Sequence, residues 1–215
     1  MPSVPLFPLG TALLPGARLP LQIFEERYVA LLRHIIDSGG QESGFGVVGI
    51  RHGWEVGDQL TALHEIGCWA TLDRVIELTD ELYLATAHGT RRFRLDAVDE
   101  DAGTPWTTGI VEWLDDRDDD PDRAAREAAQ LTLAVESHCR AAGVATPDAP
   151  RDARGLAWWA AEAVDLDRGD RQRLLETSGT ADRLALVRRM VQRETGLASR
   201  LGVEGIQHSA PPNLN

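Results

Sequence analysis

Lysine is absent from this 215-residue chain, and all 22 of its basic residues are arginine. That absence removes the phosphate-gripping lysine of a Gly-x-x-x-x-Gly-Lys-Ser/Thr nucleotide loop. A Ser-Lys proteolytic dyad is removed with it, and no Gly-x-Ser-x-Gly elbow offers another hydrolase. Cysteine is nearly absent too. Cys68 and Cys139 are too few for a disulfide framework and too far apart for a metal knuckle, which makes a reduced, cytoplasmic setting the expectation. The six histidines show no His-x-x-x-His grouping, so neither a metal nor a cofactor is expected. No run approaches the ~20 apolar residues of a membrane span, and no basic segment followed by an apolar run opens the chain. Neither membrane insertion nor secretion is expected.

Positive charge is also scarce, because 34 acidic residues give a formal net charge of −12. A polyanion meets long-range repulsion from such a surface, so nucleic acid is not the expected ligand. Apolar residues make up 43% of the chain, enough to bury a substantial core at this length.

The hydrophobic period changes once along the chain. Up to about Leu114 the apolar residues alternate or form short β-branched runs. These predict strands over Phe45–Ile50, Leu60–Ile66, Trp69–Ile76, Leu82–Ala87, Arg92–Val98 and Thr107–Leu114, after two proline-punctuated strands at the start. Gly53, Gly57, Gly67, Gly89 and Gly103 are read as hairpin turns or bulges. One helix is predicted from Glu25 to Asp37, with Tyr28, Leu31, Leu32, Ile35 and Ile36 inward and Ser38-Gly39-Gly40 ending it. Many short strands at roughly even spacing argue for a barrel or a sandwich, which this helix plugs or flanks.

A crowd of aspartates at 115–120, continuing to Asp122, marks a solvated linker; the ligand order of a calcium loop is missing. Asp120 before Pro121 is placed to cap a helix. Helices are then predicted over Ala124–Ala141, ending near Gly143, over Ala153–Val164 after the cap Asp152, over Arg168–Thr177, and over Ala181–Gly196. Leu156, Trp159, Ala160 and Ala163 share one face of the second, and Leu184, Val187 and Val191 one face of the last. The expected fold is α+β, a β domain over 1–114 and a helical bundle over 121–202, with the acidic linker between them and a flexible tail over 203–215.

The opening Pro5-Leu6-Phe7-Pro8-Leu9, the Pro15-Gly16 turn and Phe24-Glu25-Glu26-Arg27-Tyr28 at the helix entry resemble the Lon N-terminal domain family. The likeness continues in Phe45-Gly46-Val47-Val48, in Glu65-Ile66-Gly67-Cys68-Trp69-Ala70, where Cys68 replaces a usual threonine, and in Gly89-Thr90-Arg91-Arg92-Phe93. It is echoed in Arg171–Glu176 and Asp182-Arg183-Leu184. The resemblance implies a PUA-like β-barrel or pseudo-barrel with one inserted helix, followed by a helical bundle. It implies a non-catalytic module of substrate recognition, here in a stand-alone form lacking the ATPase and protease domains.

Three classes of function stay open. The first is recognition of unfolded polypeptide or a specific protein partner through apolar surface, as an adaptor or regulator of proteolysis. The second is RNA binding by the PUA-like barrel, which the acidic balance opposes. The third is an enzyme with an unrecognised small-molecule site. For the first, Trp54, Trp106, Trp158 and Trp159 are the candidate anchors, since tryptophan gives large contact area at small ordering cost. Trp158 and Trp159 are adjacent and cannot both face one side of a helix. Phe24, Glu25, Arg27, Tyr28, Arg92 and Phe93 are read as structural motif residues, Glu25 and Arg27 tying the chain to neighbouring backbone.

Overall fold

In strand β1 (Ser3–Leu9) two prolines sit inside a sheet, and the pairing shows why they are tolerated. Residues Ser3–Pro5 pair antiparallel with β7 (Thr108–Trp113), whereas Leu6–Leu9 pair parallel with β3 (Gly44–His52). The Leu6 N–H donates to the Thr107 carbonyl (2.8 Å), which fixes the alternation. Pro5 therefore turns its missing N–H towards the β3 side before that ladder begins, and Pro8 towards the β7 side after that ladder has ended. The computed structural model describes residues 1–38, 44–52, 62–116, 120–164 and 166–201. Trp54, Gly53, Gly57, the middle of the acidic run and the tail 203–215 lie outside the described residues.

The change of neighbour along β1 closes a ring. Strand β3 pairs with β5 (Ile66–Thr79), β5 with β6 (Leu82–Val98), β6 with β7, and β7 with β1. Strand β4 (Ala62–Leu63) pairs antiparallel with the end of β3, and β2 (Arg18–Ile23) pairs with the first half of β6 outside the ring. Val4, Leu6, Val48, Phe93 and Val111 fill the interior.

Of the glycines expected at turns or bulges, neither Gly67 nor Gly89 makes a turn, although Gly89 borders a register shift of the β5–β6 pairing. Gly67 and Gly89 lie inside β5 and β6, so the two runs read as separate strands over Leu82–Ala87 and Arg92–Val98 are one strand of 17 residues. A Cβ on Gly67 would stand 2.4 Å from the Phe93 ring, and one on Gly89 would stand 2.3 Å from the Leu14 carbonyl oxygen. Glycine is needed at both for close approach rather than for reversal. The β5–β6 turn itself falls at Asp80-Glu81, while Gly103, at φ +67°, lies in the loop between β6 and β7, after the turn at Glu100-Asp101.

Helix α1 (Glu26–Ser38) packs on the sheet through Tyr28, whose ring stacks on Phe7 with centroids 4.0 Å apart. Val29 joins the buried stripe, and Ile36, expected inward, is exposed at its margin. Ser38 Oγ closes the last turn by donating to the His34 carbonyl.

The second unit, Asp115–Pro211, is helical and separates from the first, whose main body is Met1–Leu114. Its helices are α2 (Pro121–Ala142), α3 (Ala153–Ala163), α4 (Arg168–Glu176) and α5 (Thr180–Leu201). Asp120, Asp152 and Asp167 each accept a backbone N–H of the helix they precede, an arrangement that contributes about 1 kcal/mol per cap. Gly143, in the left-handed region at φ +69°, ends α2. Helix α5 packs along α2 and meets α3 and α4, with Leu184, Val187 and Val191 fully buried. In α3 the buried set is Leu156, Ala157, Trp158, Ala160 and Ala161, not the face containing Trp159 and Ala163. No helix among the described residues is long and apolar enough to cross a membrane.

Candidate functional site

The β unit carries a concentration of exposed large apolar side chains at one place, the outer face of β2, β6 and the distal half of β5. Alternation along these strands sends Leu19, Leu21, Ile23, Tyr83, Ala85 and Ala87 into the core. The opposite parity faces outward. Gln22 pairs with Leu84 and Leu84 with Ile76, so these three form one row across three strands on one face. Leu84 is 40% and Ile76 39% exposed. At the same end, Phe24, directly after β2, is 44% exposed, and Leu78, next to the β5–β6 turn, is 52% exposed. In the helical unit Leu133, Val144 and Leu197 are exposed on separate segments, without a comparable row.

A hydrogen-bond chain braces this face from behind. Arg33 of α1 donates through Nη2 to the Asp80 carbonyl oxygen (2.6 Å) and to Tyr83 Oη (3.2 Å). Tyr83 Oη in turn donates to Glu77 Oε1 (3.1 Å). The Tyr83 hydroxyl, with the Glu77 and Asp80 carboxylates nearby, holds the Arg33 guanidinium above its ordinary pKa. The turn is thereby tied to α1, and the apolar row rests on a fixed support.

The outer edge of β2 adjoins the row. Because the Gly89 N–H donates to the Ala17 carbonyl (3.0 Å), residues 17, 19, 21 and 23 direct their backbone groups towards β6, and Arg18, Pro20 and Gln22 direct theirs away. No strand pairs with that edge among the described residues. Pro20 sits in its middle without an N–H to offer.

The described residues expected to anchor polypeptide fall in different units, Trp106 in the β unit and Trp158 and Trp159 in the helical unit. Trp106 is half-buried with its ring 5.0 Å from that of His34. Trp158 is buried beneath the Arg183 guanidinium, 4.2 Å from the ring centroid. Its neighbour Trp159 is half-buried, and its Nε1 has no partner among the described residues. Trp69 and Trp113 instead meet edge-to-face at 5.7 Å near the ring interior, with Arg91 over Trp113 at 4.2 Å.

Of the motif residues, Phe93 and Arg92 are buried, and Tyr28 packs on Phe7. Arg27 donates through Nη2 and Nε to Glu25 Oε2 (2.9 and 3.1 Å) and lies over the Tyr28 ring. The Glu25 carbonyl accepts the first helical N–H groups, from Tyr28 and Val29. Phe24 departs from the structural reading by standing open to solvent beside the apolar row. Ile76, Leu78 and Leu84 escaped sequence reasoning altogether. Their signal was apolar residues at both parities in Val75-Ile76-Glu77-Leu78 and Leu82-Tyr83-Leu84-Ala85, which a one-sided strand does not need.

Among the described residues no group of three or more His, Cys, Asp or Glu side chains is placed to hold a metal. The Cys68 thiol is buried, and desolvation pushes its pKa up to about 12, far from that of an activated nucleophile.

The profile of the ATP-dependent protease La (LON) substrate-binding domain matches residues 3–193. A Lon protease of Anaeromyxobacter dehalogenans (strain 2CP-C) is 26% identical over 204 residues, which are 90% of this chain and 24% of the relative. The chain thus spans about a quarter of that curated relative. The crystal structure of a Lon N-terminal domain protein from Xanthomonas campestris superposes with a TM-score of 0.64 at 27% identity, covering 86% of this chain and 96% of that one. The N-terminal domain of a Mycobacterium avium complex Lon protease shares the fold at 18% identity, with a TM-score of 0.65 over 91% of this chain and 98% of that one.

Proposed function

Since the chain belongs to the LON substrate-binding domain family, we propose that it recognises extended or unfolded polypeptide on the outer face of β2, β6 and β5, without turning it over. The observation that carries this reading is the row Leu84–Ile76 with Phe24 and Leu78 beside it, exposed on a braced support. Apolar side chains clustered in this way serve recognition more often than those scattered singly. In this reading the aliphatic row and Phe24 take the anchoring role first expected of tryptophan, with Trp106 contributing the part of its ring left open. A function in proteolysis follows as recognition of a client or partner, in the manner of an adaptor or regulator. The acidic surface speaks against RNA as the alternative ligand.

A shallow surface that orders a flexible chain gives micromolar binding or weaker, about −8 kcal/mol at most. The test is fluorescence anisotropy of labelled, unfolded casein against the wild-type chain and an I76S/L84S variant. The variant is expected to weaken binding about tenfold while its thermal midpoint stays within a few degrees, because both positions are exposed. Equal affinity for the two proteins would place recognition elsewhere, and an RNA oligonucleotide binding more tightly than casein would favour the alternative.

A further inference from the structure

The apolar row occupies one end of its face. Two residues further along β6, Thr86 pairs with Pro20 on one side and Arg74 on the other, and two residues beyond that His88 pairs with Arg18 and Thr71. Same-face neighbours along a strand are about 7 Å apart, so Arg74 stands one step and Arg18 two steps from the Leu84–Ile76 row. Both arginines are exposed, and neither guanidinium has a hydrogen bond, ion pair or ring contact with a described residue. In the same unit Arg27 is held by Glu25, Arg33 by the Asp80 carbonyl and Arg94 by Asp96. Asp73, at the register shift beside Arg74, is taken up by His88, its Oδ1 lying 2.5 Å from Nδ1. We infer that this face selects extended segments in which an apolar stretch is flanked, within two to four positions, by aspartate or glutamate side chains that pair with Arg74 and Arg18. This narrowing of the client class rests on the proposed binding function.

The apolar row supplies contact but little discrimination between sequences, whereas a guanidinium with no partner in its own chain offers a planar fork that a carboxylate fits. Arg74 and Arg18 stand on strands either side of β6, about 10 Å apart across the sheet, a spacing that suits two side-chain carboxylates along one segment better than a single terminal one. The two ends of the face differ in charge. Asp80 and Glu81, at the turn beyond Leu78, lie at the end away from these arginines and repel a carboxylate there. The chain's net charge of −12 also opposes a uniformly acidic client, so the fit is to a few carboxylates on one flank of an apolar stretch.

The experiment compares labelled, C-terminally amidated, unstructured peptides of about twelve residues in anisotropy titrations. The first carries a leucine and phenylalanine stretch followed by two glutamates, and the second carries the glutamates before the stretch, so that the pair covers both directions in which a chain can lie on the face. A third has glutamine in place of each glutamate, and a fourth keeps the glutamates but has serine in place of each apolar residue. The better of the two glutamate peptides is expected to bind about fivefold more tightly than the glutamine peptide, as two exposed ion pairs allow. An R18Q/R74Q variant should bring it to the glutamine peptide's affinity, while leaving the glutamine peptide's own affinity and the thermal midpoint unchanged. An I76S/L84S variant should weaken the first three peptides alike.

If neither glutamate peptide binds more tightly than the glutamine peptide, or if the preference survives R18Q/R74Q, the selection is overturned; weakening of the glutamine peptide by I76S/L84S then leaves the polypeptide-binding reading intact. Binding of the serine peptide as tight as that of the better glutamate peptide overturns it as well, since charge alone would then suffice. If no peptide binds, or I76S/L84S changes nothing, the binding function at this face fails and the selection falls with it.

Discussion

The Arg183 guanidinium, fully buried, lies 4.2 Å from the centroid of the Trp158 ring. Its Nη2 donates to Asp116 Oδ1 (2.7 Å) and to the Thr177 carbonyl (2.9 Å). A residue expected to offer its ring to a ligand is thus covered by a cation, and part of an acidic run expected to be solvated neutralises that cation. Removing one member of a buried, hydrogen-bonded charge group leaves the remainder desolvated and uncompensated. Arg183→Ala should lower the stability of the helical unit by about 3 kcal/mol, and Asp116→Asn, whose carboxylate is partly exposed, by about 1 kcal/mol. Urea unfolding followed by tryptophan fluorescence measures both; an unchanged midpoint for Arg183→Ala would show the pairing to be incidental.

Gly67 and Gly196 make opposite predictions for the same substitution. At Gly67 a Cβ would meet the Phe93 ring at 2.4 Å and the Val47 carbonyl oxygen at 2.6 Å, inside the closed ring of strands. Alanine there should cost about 2–3 kcal/mol through forced displacement of a packed core. Gly196 stands in α5 with nothing within 4 Å of its would-be Cβ, and alanine should stabilise by up to about 1 kcal/mol by restricting the unfolded chain. Thermal unfolding of the two variants should shift in opposite directions. A Gly67→Ala protein as stable as the parent would contradict the close approach.

The contrast between those glycines shows what was legible beforehand. Helix boundaries could be read because caps are local: Asp120 with Pro121, Asp152, and Gly143 act within a few residues of themselves. A barrel could be expected from the many short strands, but the contacts that close it could not be read, because they are a parallel pairing of Leu6–Leu9 with Gly46–Gly49, about forty residues away, and Phe93 lying over Gly67. A glycine needed for a distant ring resembles a glycine needed for a turn. The apolar row was hidden for a related reason: which parity of β5 and β6 faces outward is settled by β2 and α1, and Leu84 is as hydrophobic in sequence as the buried Leu21.

Cys68 should be inert in the folded protein. Burial raises its pKa to about 12, so at pH 8 almost no thiolate forms, and the side chain has no exposed surface for a reagent to meet. Labelling with a chromogenic disulfide should require unfolding and should follow the unfolding transition in urea. The raised pKa also sets a sign: the unfolded chain releases this proton at lower pH than the folded one, so the contribution to stability is present below the ordinary thiol pKa and is lost as pH rises towards 12. Rapid labelling under native conditions at pH 8 would mean that the site opens locally.

His138 sets the opposite limit. Desolvation lowers its pKa from 6.5, against an opposing pull from Glu194, and its Nδ1 lies 3.2 Å from Thr195 Oγ1. The unfolded chain therefore takes up this proton first, and the contribution to stability present above pH 6.5 is lost as pH falls through that value towards the folded pKa. His138→Gln should flatten the acid limb of the stability profile between about pH 7 and 5. An NMR titration placing the His138 midpoint at or above 6.5 would refute the assignment.

Pro20 provides a test of what protects this surface from itself. It stands at the centre of the β2 edge that no described strand pairs, with Arg18 and Gln22 directing their backbone groups the same way and an apolar row on the adjoining face. A bare edge beside exposed leucine and isoleucine is a template for pairing between copies, and a proline that withholds the central N–H blunts it. Pro20→Thr restores that N–H and adds a β-branched residue suited to a strand, without touching the buried face held by Leu19 and Leu21. The variant should keep its thermal stability yet associate more strongly than the parent as concentration rises, visible as an increase in sedimentation coefficient. Adding Gln22→Pro should reverse that gain, since it blocks the next outward N–H. If Pro20→Thr sediments like the parent across the same concentrations, the edge is protected by its charged neighbours and not by the proline.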